Sequence, residues 1–383
     1  MRKLFNDPTF EGICMQLNLK KLLSLVATSL VALSTSGFAD GDTAQMRNLE
    51  NRVSALEQRK GASGMINPQG RAQVKDGADL FVYGDLLFWN AHENGLSAAV
   101  KNKGSSSNLS NSEVRNVHGK WNLGFRVGIG YNTPHDGWDL KLTWLRFTDN
   151  GTRHVRSGST TFAFPTRVHP ANLADDAVTA AGKMRSKWNM RLDQLDFDLG
   201  REFFVSKWLT LRPHFGLRSD WIRQALNTNY NNFVGFGAPT LTTIKTRLKD
   251  RSFGLGLEGG LDTQWGLGNG WSIFGNLSGA ILYGFHHINE RTTDKPADTQ
   301  FLNLVNSFRV SEPIVDLEAG IRWDNMFWND RFHLGLQIGW EHHVYFSQNQ
   351  FPVFVDDVSL GSFVANQGDL TLQGWTFAAR FDF

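Results

Sequence analysis

Hydrophobic and polar residues alternate along several stretches of the chain, and each alternation predicts a β-strand. From Trp121 to Tyr131 every second residue is aromatic or aliphatic, and the residues between them are mostly glycine, asparagine and arginine. Side chains of a strand alternate between two faces, so this stretch predicts a strand with one apolar and one polar face. After a turn rich in Asn, Pro, Asp and Gly, the alternation resumes from Trp138 to Trp144.

The same hairpin pattern repeats along the rest of the chain. Further strands are predicted at residues 79–91, 188–200, 209–221, 253–265, 271–285, 315–323, 332–340 and 368–383. Short turns alternate with long polar connections at residues 92–114, 149–186, 223–246, 286–310 and 346–368. Ten antiparallel strands with both ends on the short-turn side are typical of an outer-membrane, up-and-down β-barrel. A twelve-strand barrel is the alternative if residues 160–168 contain a hairpin.

The last sixteen residues alternate up to a final aromatic residue. An exposed terminal strand of this kind would promote aggregation in a soluble protein, whereas in a closed membrane barrel it pairs with the first strand and faces lipid. By analogy with outer-membrane barrels, its aromatic residues are interpreted as a signal to the barrel-insertion machinery. These residues are Trp375, Phe377, Phe381 and Phe383.

The opposite face of the strands carries glycine and charged residues, which suits a narrow lumen better than a solvated sheet surface. The predicted lumen-lining residues are Arg126, Asp139, Lys141, Arg212, Arg218, Glu258, Asp316, Glu318, Arg322 and Glu341. Eight-strand barrels are filled by side chains, and water-filled channels belong to larger ones. Two interpretations therefore stay open: the charges line a small polar channel, or they pair across a plugged interior.

Residues 1–39 are interpreted as an N-terminal extension with a signal peptide. Lys20 and Lys21 precede the apolar run Leu22–Leu33, which is too short to span a bilayer. Small residues follow the run before residue 40. This arrangement predicts secretion across the inner membrane.

Residues 40–60 predict a short helix that resembles a coiled coil. Its apolar stripe consists of Met46, Leu49, Val53 and Leu56. The helix is either a solvated tether or a trimerising coil. Residues 61–78 are interpreted as a linker, and residues 79–383 as the barrel.

Composition excludes several other classes of protein. The chain has 383 residues, with 39 Lys and Arg against 37 Asp and Glu, and this balance argues against a nucleic-acid binder. A mean hydropathy of −0.31 argues against a helical membrane bundle. The single cysteine, Cys14, precedes the apolar run, so the secreted chain would hold no disulfide, catalytic thiol or cysteine metal site. We predict no cofactor and no metal site.

Histidines are frequent near the long connections, among them the pairs His286–His287 and His342–His343. Adjacent residues of a strand point to opposite faces, so neither pair is suited to chelation. Simple polarity of the barrel rim is favoured over a surface metal or pH-sensing site. A surface protease of the omptin type would need Asp149 or Asp294 beside His286 or His342, but their spacing specifies no catalytic set. No catalytic residue and no enzyme activity are predicted.

Four stretches are distinctive: GDLLFW at 84–89, residues 124–147, residues 198–222 and LEAGIRW at 317–323. They resemble the MOMP-like family of pore-forming outer-membrane proteins of intracellular Gram-negative bacteria. The resemblance implies an abundant surface barrel that passes small solutes. The disulfide cross-linking of the cysteine-rich members is not implied, because the secreted chain lacks cysteine.

The sequence therefore predicts a cell outer-membrane channel for passive diffusion of small polar solutes. Its expected partners are outer-membrane lipid, the insertion machinery and two further copies of the chain in a homotrimer. The alternative is a structural or adhesive surface antigen with a closed lumen, whose loops bind host surface molecules.

Overall fold

The computed structural model describes residues 67–104, 109–134, 136–174, 178–235, 243–295 and 298–383. The elements are β1 (Leu80–Glu93), β2 (Ser97–Lys103), β3 (Ser112–Asn116), β4 (Trp121–Asn132), β5 (Trp138–Arg156), β6 (Thr161–Pro165), α1 (Ala171–Ala174), β7 (Val178–Arg201), β8 (Phe203–Phe204), β9 (Leu209–Gly235), β10 (Thr243–Gly268), β11 (Trp271–Lys295), β12 (Gln300–Phe327), β13 (Phe332–Asn349), β14 (Pro352–Phe354), β15 (Phe363–Ala365) and β16 (Gly368–Asp382). Across these ranges, no helix has both the length and the hydropathy needed to cross a bilayer.

Ten of the strands form one closed antiparallel barrel. Following the hydrogen bonds, the order is β1, β4, β5, β7, β9, β10, β11, β12, β13, β16 and back to β1. The seam pairs Phe81 with Asp382 and Phe88 with Trp375. The predicted ten-strand barrel, closed by the first and last strands, is confirmed. The twelve-strand alternative is wrong, because residues 161–165 form β6, which pairs with β2 in a separate small sheet.

The outer surface carries a belt of exposed apolar side chains near the end with the short turns. Leu123, Leu257, Ile281 and Tyr283 are all more than 60% exposed. Exposing so much apolar surface to water would be energetically unfavourable, whereas contact with hydrocarbon is not, so the belt faces the lipid. Trp340 makes edge-to-face contacts with Trp121 and Trp375 at the edge of the belt toward the long-loop end.

Beyond the belt, the apolar face of the strands changes from outside to inside. On β9 the apolar residues are at odd positions up to Trp221, and then at the even positions of Ile222, Leu226 and Tyr230. The first set is outward-facing and the second set is fully or almost fully buried. On β7 the same switch separates outward Leu195 from inward Leu192. The barrel therefore has a lipid-facing exterior at one end and a packed apolar interior at the other.

This switch corrects the predicted connections at 223–246 and 286–310, which are wrong in most of their length. Strand β9 continues to Gly235, and β10 begins at Thr243. In the same way, β11 continues to Lys295, and β12 begins at Gln300. Alternation in these stretches is present but has the opposite phase, with polar residues outside. The predicted connection at 149–186 is likewise shortened by the ends of β5 and β7.

The packed interior at the long-loop end is called the apolar cluster here. It joins wall residues of opposite strands, among them Trp89, Trp188, Leu192 and Leu282, all fully buried. Segments between the strands enter it with Leu96, Ala98, Val117 and Phe351. Among the described residues, the lumen at this height is filled with side chains rather than open.

The predicted signal peptide, the helix at 40–60 with Met46, Leu49, Val53 and Leu56, and residues 61–66 lie outside the described residues. Residues 67–78 lie against the short turns of the barrel. Arg71 donates to the carbonyls of Thr133 and Trp138, at 3.1 and 3.3 Å. The nitrogen of Gly70 donates to the carbonyl of Glu202 at 3.0 Å.

Candidate functional site

The lumen at the height of the apolar belt contains a cavity of about 260 Å³. Nine of the ten predicted lumen residues line it, namely Arg126, Lys141, Arg212, Arg218, Glu258, Asp316, Glu318, Arg322 and Glu341. The tenth, Asp139, is absent from the lining but is buried against Arg212. Every second residue of each strand here faces the lipid, and the residues between them face the lumen. Because all ten strands surround the same lumen, polar residues from distant regions of the chain meet there.

Arg212 on β9 holds three carboxylates near the short turns. Its guanidinium lies 2.5 Å from Asp139, 2.6 Å from Asp198 and 3.0 Å from Asp262, each distance joining a nitrogen to a carboxylate oxygen. A guanidinium has five N–H donors in a fixed fork, so one arginine can satisfy several acids at once. Arg212 links β5, β7 and β10 across the sheet.

Arg218 repeats this arrangement further along β9, toward the long-loop end. Its nitrogens lie 3.0 Å from Asp196, 2.8 Å from Glu258 and 2.6 Å from Asp316. Asp316 is on β12, which is not a neighbour of β9 in the barrel. This ion pair therefore crosses the lumen instead of following the wall.

A third arginine belongs to the opposite wall. Arg126 on β4 lies 3.2 Å from Asp85 and 2.5 Å from Glu341. His343 connects this group to the previous one, because its ring nitrogens lie 2.8 Å from Asp316 and 2.8 Å from Glu341. A continuous network of charged side chains thus spans the lumen.

The mouth at the short-turn end has its own charged group. His333 lies between Asp382, at 2.7 Å, and Asp324, at 3.0 Å. Arg380 binds Asp382 at 2.7 Å, and Arg322 binds Asp324 at 2.8 Å. Arg322 and Arg380 also line the cavity, so this group borders the entrance to it.

Acids outnumber fixed cations around the cavity. The lining contains nine Asp and Glu residues against six Arg and Lys and two His. Glu318 receives a hydrogen bond from Asn276 at 2.8 Å, while its other oxygen is buried and without a hydrogen-bond partner among the described residues. Surplus carboxylates in a narrow passage attract cations and repel anions.

Sequence reasoning missed Asp85, Asp196, Asp198, Asp262 and His343, which complete the network. The acids follow the same two-residue period as the predicted set, so the alternation contained a signal for them. What the alternation does not contain is the pairing across the lumen.

The residues that a surface protease would use have other partners. Asp149 accepts the backbone N–H groups of Ala91, at 2.8 Å, and Lys120, at 3.0 Å. His286 is fully buried between Asp250, at 2.8 Å, and Glu312, at 2.5 Å. His342 lies between Glu341 and His343 in sequence, so its position on β13 belongs to the face opposite to theirs. Within the described ranges of the chain, no group of three or more His, Cys, Asp and Glu is arranged to hold a metal ion.

The predicted C-terminal signal lies mostly on the outer surface. Trp375, Phe377 and Phe381 are exposed on β16, and Phe383 follows the end of that strand. Recognition by the insertion machinery and trimerisation through residues 46–56 stay predictions.

Comparison with known proteins identifies one family model. It is described as the Legionella pneumophila major outer membrane protein precursor, and it matches residues 78–383. No curated protein matches the chain.

Among solved structures, the chain is similar to a major outer membrane protein from Thermus thermophilus, with a TM-score of 0.30 and 10% identity, covering 79% of this chain and 98% of that one. It is also similar to a Pseudomonas aeruginosa FadL homologue, with a TM-score of 0.29 and 8% identity over 79% of this chain and 89% of that one. For the translocator domain of the autotransporter NalP from Neisseria meningitidis, the TM-score is 0.28 and the identity 12%, over 90% and 99% of the two chains.

Proposed function

Since the chain belongs to the family of the Legionella pneumophila major outer membrane protein, we propose that this outer-membrane protein is a narrow channel for passive diffusion of small polar solutes. The membership confirms the resemblance indicated by the sequence and the location in the outer membrane. The channel, its preference for cations and its opening are the proposal.

The observation that supports a channel best is the acid-rich cavity inside the lipid-facing belt. A barrel built only as a structural shell has no need to keep about 260 Å³ of polar space at this height. That volume corresponds to several water molecules at roughly 30 Å³ each. The surplus of carboxylates predicts that small cations and neutral polar solutes pass more readily than anions.

Passage requires the apolar cluster to open. The segment from Leu96 to Val117 enters this cluster, and its ends are close, because the nitrogen of Val117 donates to the carbonyl of Leu96 at 2.9 Å. The β2–β3 hairpin between them, which pairs with β6 along its other edge, is therefore a flap that a short linker can replace without strain on the barrel. We propose that outward movement of this flap, together with the segment of Phe351, opens the path.

Planar-bilayer recordings with the refolded full chain test this proposal. Replacing residues 96–117 by a short glycine linker should raise the conductance and the open time above those of the wild type. The matched control removes residues 356–361, whose flanking residues are also joined, by a 3.1 Å hydrogen bond from Val355 to Ser362. The control should conduct like the wild type. If neither the wild type nor the flap-deleted chain conducts above the lipid background, the channel proposal is refuted.

The charge preference has its own test. Asp262→Asn should lower the permeability of K⁺ relative to Cl⁻, measured as a shift of the reversal potential in a salt gradient, because Asp262 lines the cavity with a side chain that is 29% exposed. Asp193→Asn is the control, because Asp193 faces outward, away from the lumen, and is held by Arg146 and Arg191. An equal shift in both variants would show that the lumen does not set selectivity.

The apolar cluster also favours the alternative function, a closed barrel that serves as a structural or adhesive surface antigen. The turn between β14 and β15 exposes Val358 at 86% and Leu360 at 61%, which is unusual for a surface that meets only water. Liposome swelling separates the two functions. Absence of swelling in the flap-deleted chain, with retained binding of the wild type to host cells, would favour the antigen.

A further inference from the structure

The outward face of the barrel becomes strongly basic just beyond the apolar belt, on one side only. Arg191 on β7 is directly opposite Arg223 on β9, and Arg223 is directly opposite Arg251 on β10. His287 on β11 continues the line opposite Arg251. Arg223, Arg251 and His287 are exposed, and Arg191 is half-buried. These four residues are called the arginine row.

More cations extend from this row toward the long-loop end. At outward positions of the same strands lie Lys183, Arg185, Lys187, Arg247, Lys249 and Arg291, all exposed. Along these described stretches of β7, β9, β10 and β11, the only outward acid is Asp193, which lies 2.7 Å from Arg191 and 3.0 Å from Arg146. The patch thus has a large surplus of positive charge.

The arginine row lowers the stability of the barrel when nothing is bound to it. Like charges directly opposite each other on neighbouring strands destabilise a sheet. Arg223 and Arg251 have no carboxylate within 4.0 Å in the ranges of the chain that the structure describes. An anion between the guanidinium groups would remove this repulsion, and guanidinium forks match phosphate oxygens with two parallel hydrogen bonds.

The neighbours of the row indicate what kind of anion fits. Trp221, Phe253 and Phe285 form the next outward line toward the membrane, in register across β9, β10 and β11. They are 37%, 38% and 42% exposed at the edge of the lipid-facing belt. The two lines are adjacent outward positions of the same strands. A ligand that touches both must therefore carry an apolar group next to an anionic group, as an amphiphile does.

The other side of the barrel provides the contrast. There, the outward line that follows Trp340 and Trp375 toward the long-loop end consists of His342, Gln373 and Asn90, in register across β13, β16 and β1, and it continues to Trp121 on β4. No Lys or Arg is among them. General attraction to an anionic membrane would favour cations around the whole circumference. The outward arginines instead extend only from β5, with Arg146 and Arg156, to β12, with Arg309, and the gap at β13, β16 and β1 indicates a localised site.

We propose that the arginine row binds the phosphate groups of a phosphorylated glycolipid of the outer leaflet, with the acyl chains of that lipid on Trp221, Phe253 and Phe285. The long-loop end of outer-membrane barrels faces the outside, which places the row at the level of the outer headgroups. Basic clusters at a membrane surface bind anionic lipid headgroups, with each cation contributing to the affinity. This inference does not depend on whether the lumen conducts.

The experiment compares two double variants of the full chain refolded in zwitterionic detergent. The site variant carries Arg223→Gln and Arg251→Gln. The control carries Lys207→Gln and Arg331→Gln, which removes two exposed cations at the short-turn end. The probes are lipid A, as a diphosphorylated glycolipid, and the same lipid without its phosphates, with binding followed by native mass spectrometry and by titration. The site variant should bind lipid A about 30-fold more weakly than the wild type, and the control should not.

Thermal unfolding gives a second readout, in which the difference in melting temperature between the site variant and the wild type changes sign when lipid A is added. Without lipid, the site variant should melt at a higher temperature than the wild type, because like-charge repulsion is lost. With lipid A present, the wild type should gain stability and the site variant should gain little.

Three results would overturn the proposal. One is an equal loss of affinity in both variants, which indicates only long-range attraction. Another is binding that is unaffected when the phosphates are removed. The third is binding of heparin or inorganic phosphate to the row without binding of lipid A, which would assign the row to a soluble anion.

Discussion

Replacing Arg218 by Met should destabilise the barrel strongly, because Arg218 is the centre of the charged network. Its side chain is 5% exposed, and it neutralises Asp196, Glu258 and Asp316 at distances from 2.6 to 3.0 Å. Methionine preserves much of the volume, so the change removes charge and hydrogen bonds rather than packing. The three carboxylates remain in place.

The carboxylates differ in what the substitution leaves them. Asp316 keeps His343, at 2.8 Å, and Asp196 keeps the amide of Gln194, at 2.6 Å. Glu258 loses its only ion-pair partner among the described residues. Removing one member of a buried ion pair typically costs about 3–5 kcal/mol. We therefore expect a loss of about that size in the free energy of unfolding.

Urea unfolding of the refolded protein in lipid vesicles measures this loss, with tryptophan fluorescence as the signal. Arg331→Met is the control, because Arg331 is 64% exposed and its nearest carboxylate, on Asp76, is 4.0 Å away. Exposed pairs of this kind contribute about 0–1 kcal/mol. Arg218→Lys should recover some of the loss, since an ammonium group reaches fewer acids than a guanidinium. A loss below about 1 kcal/mol for Arg218→Met would refute the role assigned to the network.

Two further predictions concern the long-loop end. Trp89→Ala should lower the free energy of unfolding by about 3–5 kcal/mol, because the ring is fully buried against Phe147. The control Trp328→Ala, whose side chain is 79% exposed, should change it by no more than about 0.5 kcal/mol. Equal effects of the two substitutions would contradict the packed interior. Partial desolvation, followed by the nearby charges of His92 and Arg153, holds the pKa of His118 below its usual value of 6.5, so the folded state disfavours the protonated ring. The free energy of unfolding should therefore fall as the pH drops below 6.5 through the pKa of folded His118, and His118→Gln should weaken this pH dependence. An NMR titration that gives His118 a pKa above 6.5 in the folded protein would contradict this explanation.

Much of the barrel could be predicted because the lipid-facing belt imposes one pattern on every strand. From Trp121 to Tyr131, an apolar residue at each second position is required wherever one face of a strand meets hydrocarbon. The polar face then identifies residues such as Arg126 and Arg218 as interior ones. This logic is local, so it needs no knowledge of which strands meet.

The same logic failed where the environment reversed. Past Trp221 the outside meets water and the inside becomes the core, so Ile222 and Leu226 continue the strand with the opposite phase. A change of phase within a polar stretch has the appearance of a connection, and the pattern of residues 223–246 predicts one. The strand continues there because its backbone hydrogen bonds to β7 and β10 continue.

By itself, the sequence determined which faces of the strands meet lipid and that charge lies inside, since both follow from side-chain alternation along a strand, while it left ten and twelve strands as alternatives. Only the tertiary structure decided that Arg218 reaches Asp316 across the lumen, that the apolar cluster closes the outer half and that Arg191, Arg223 and Arg251 stand side by side. These features depend on the register between strands distant in sequence and on closure of the sheet. Neither of them is encoded in the spacing within one strand.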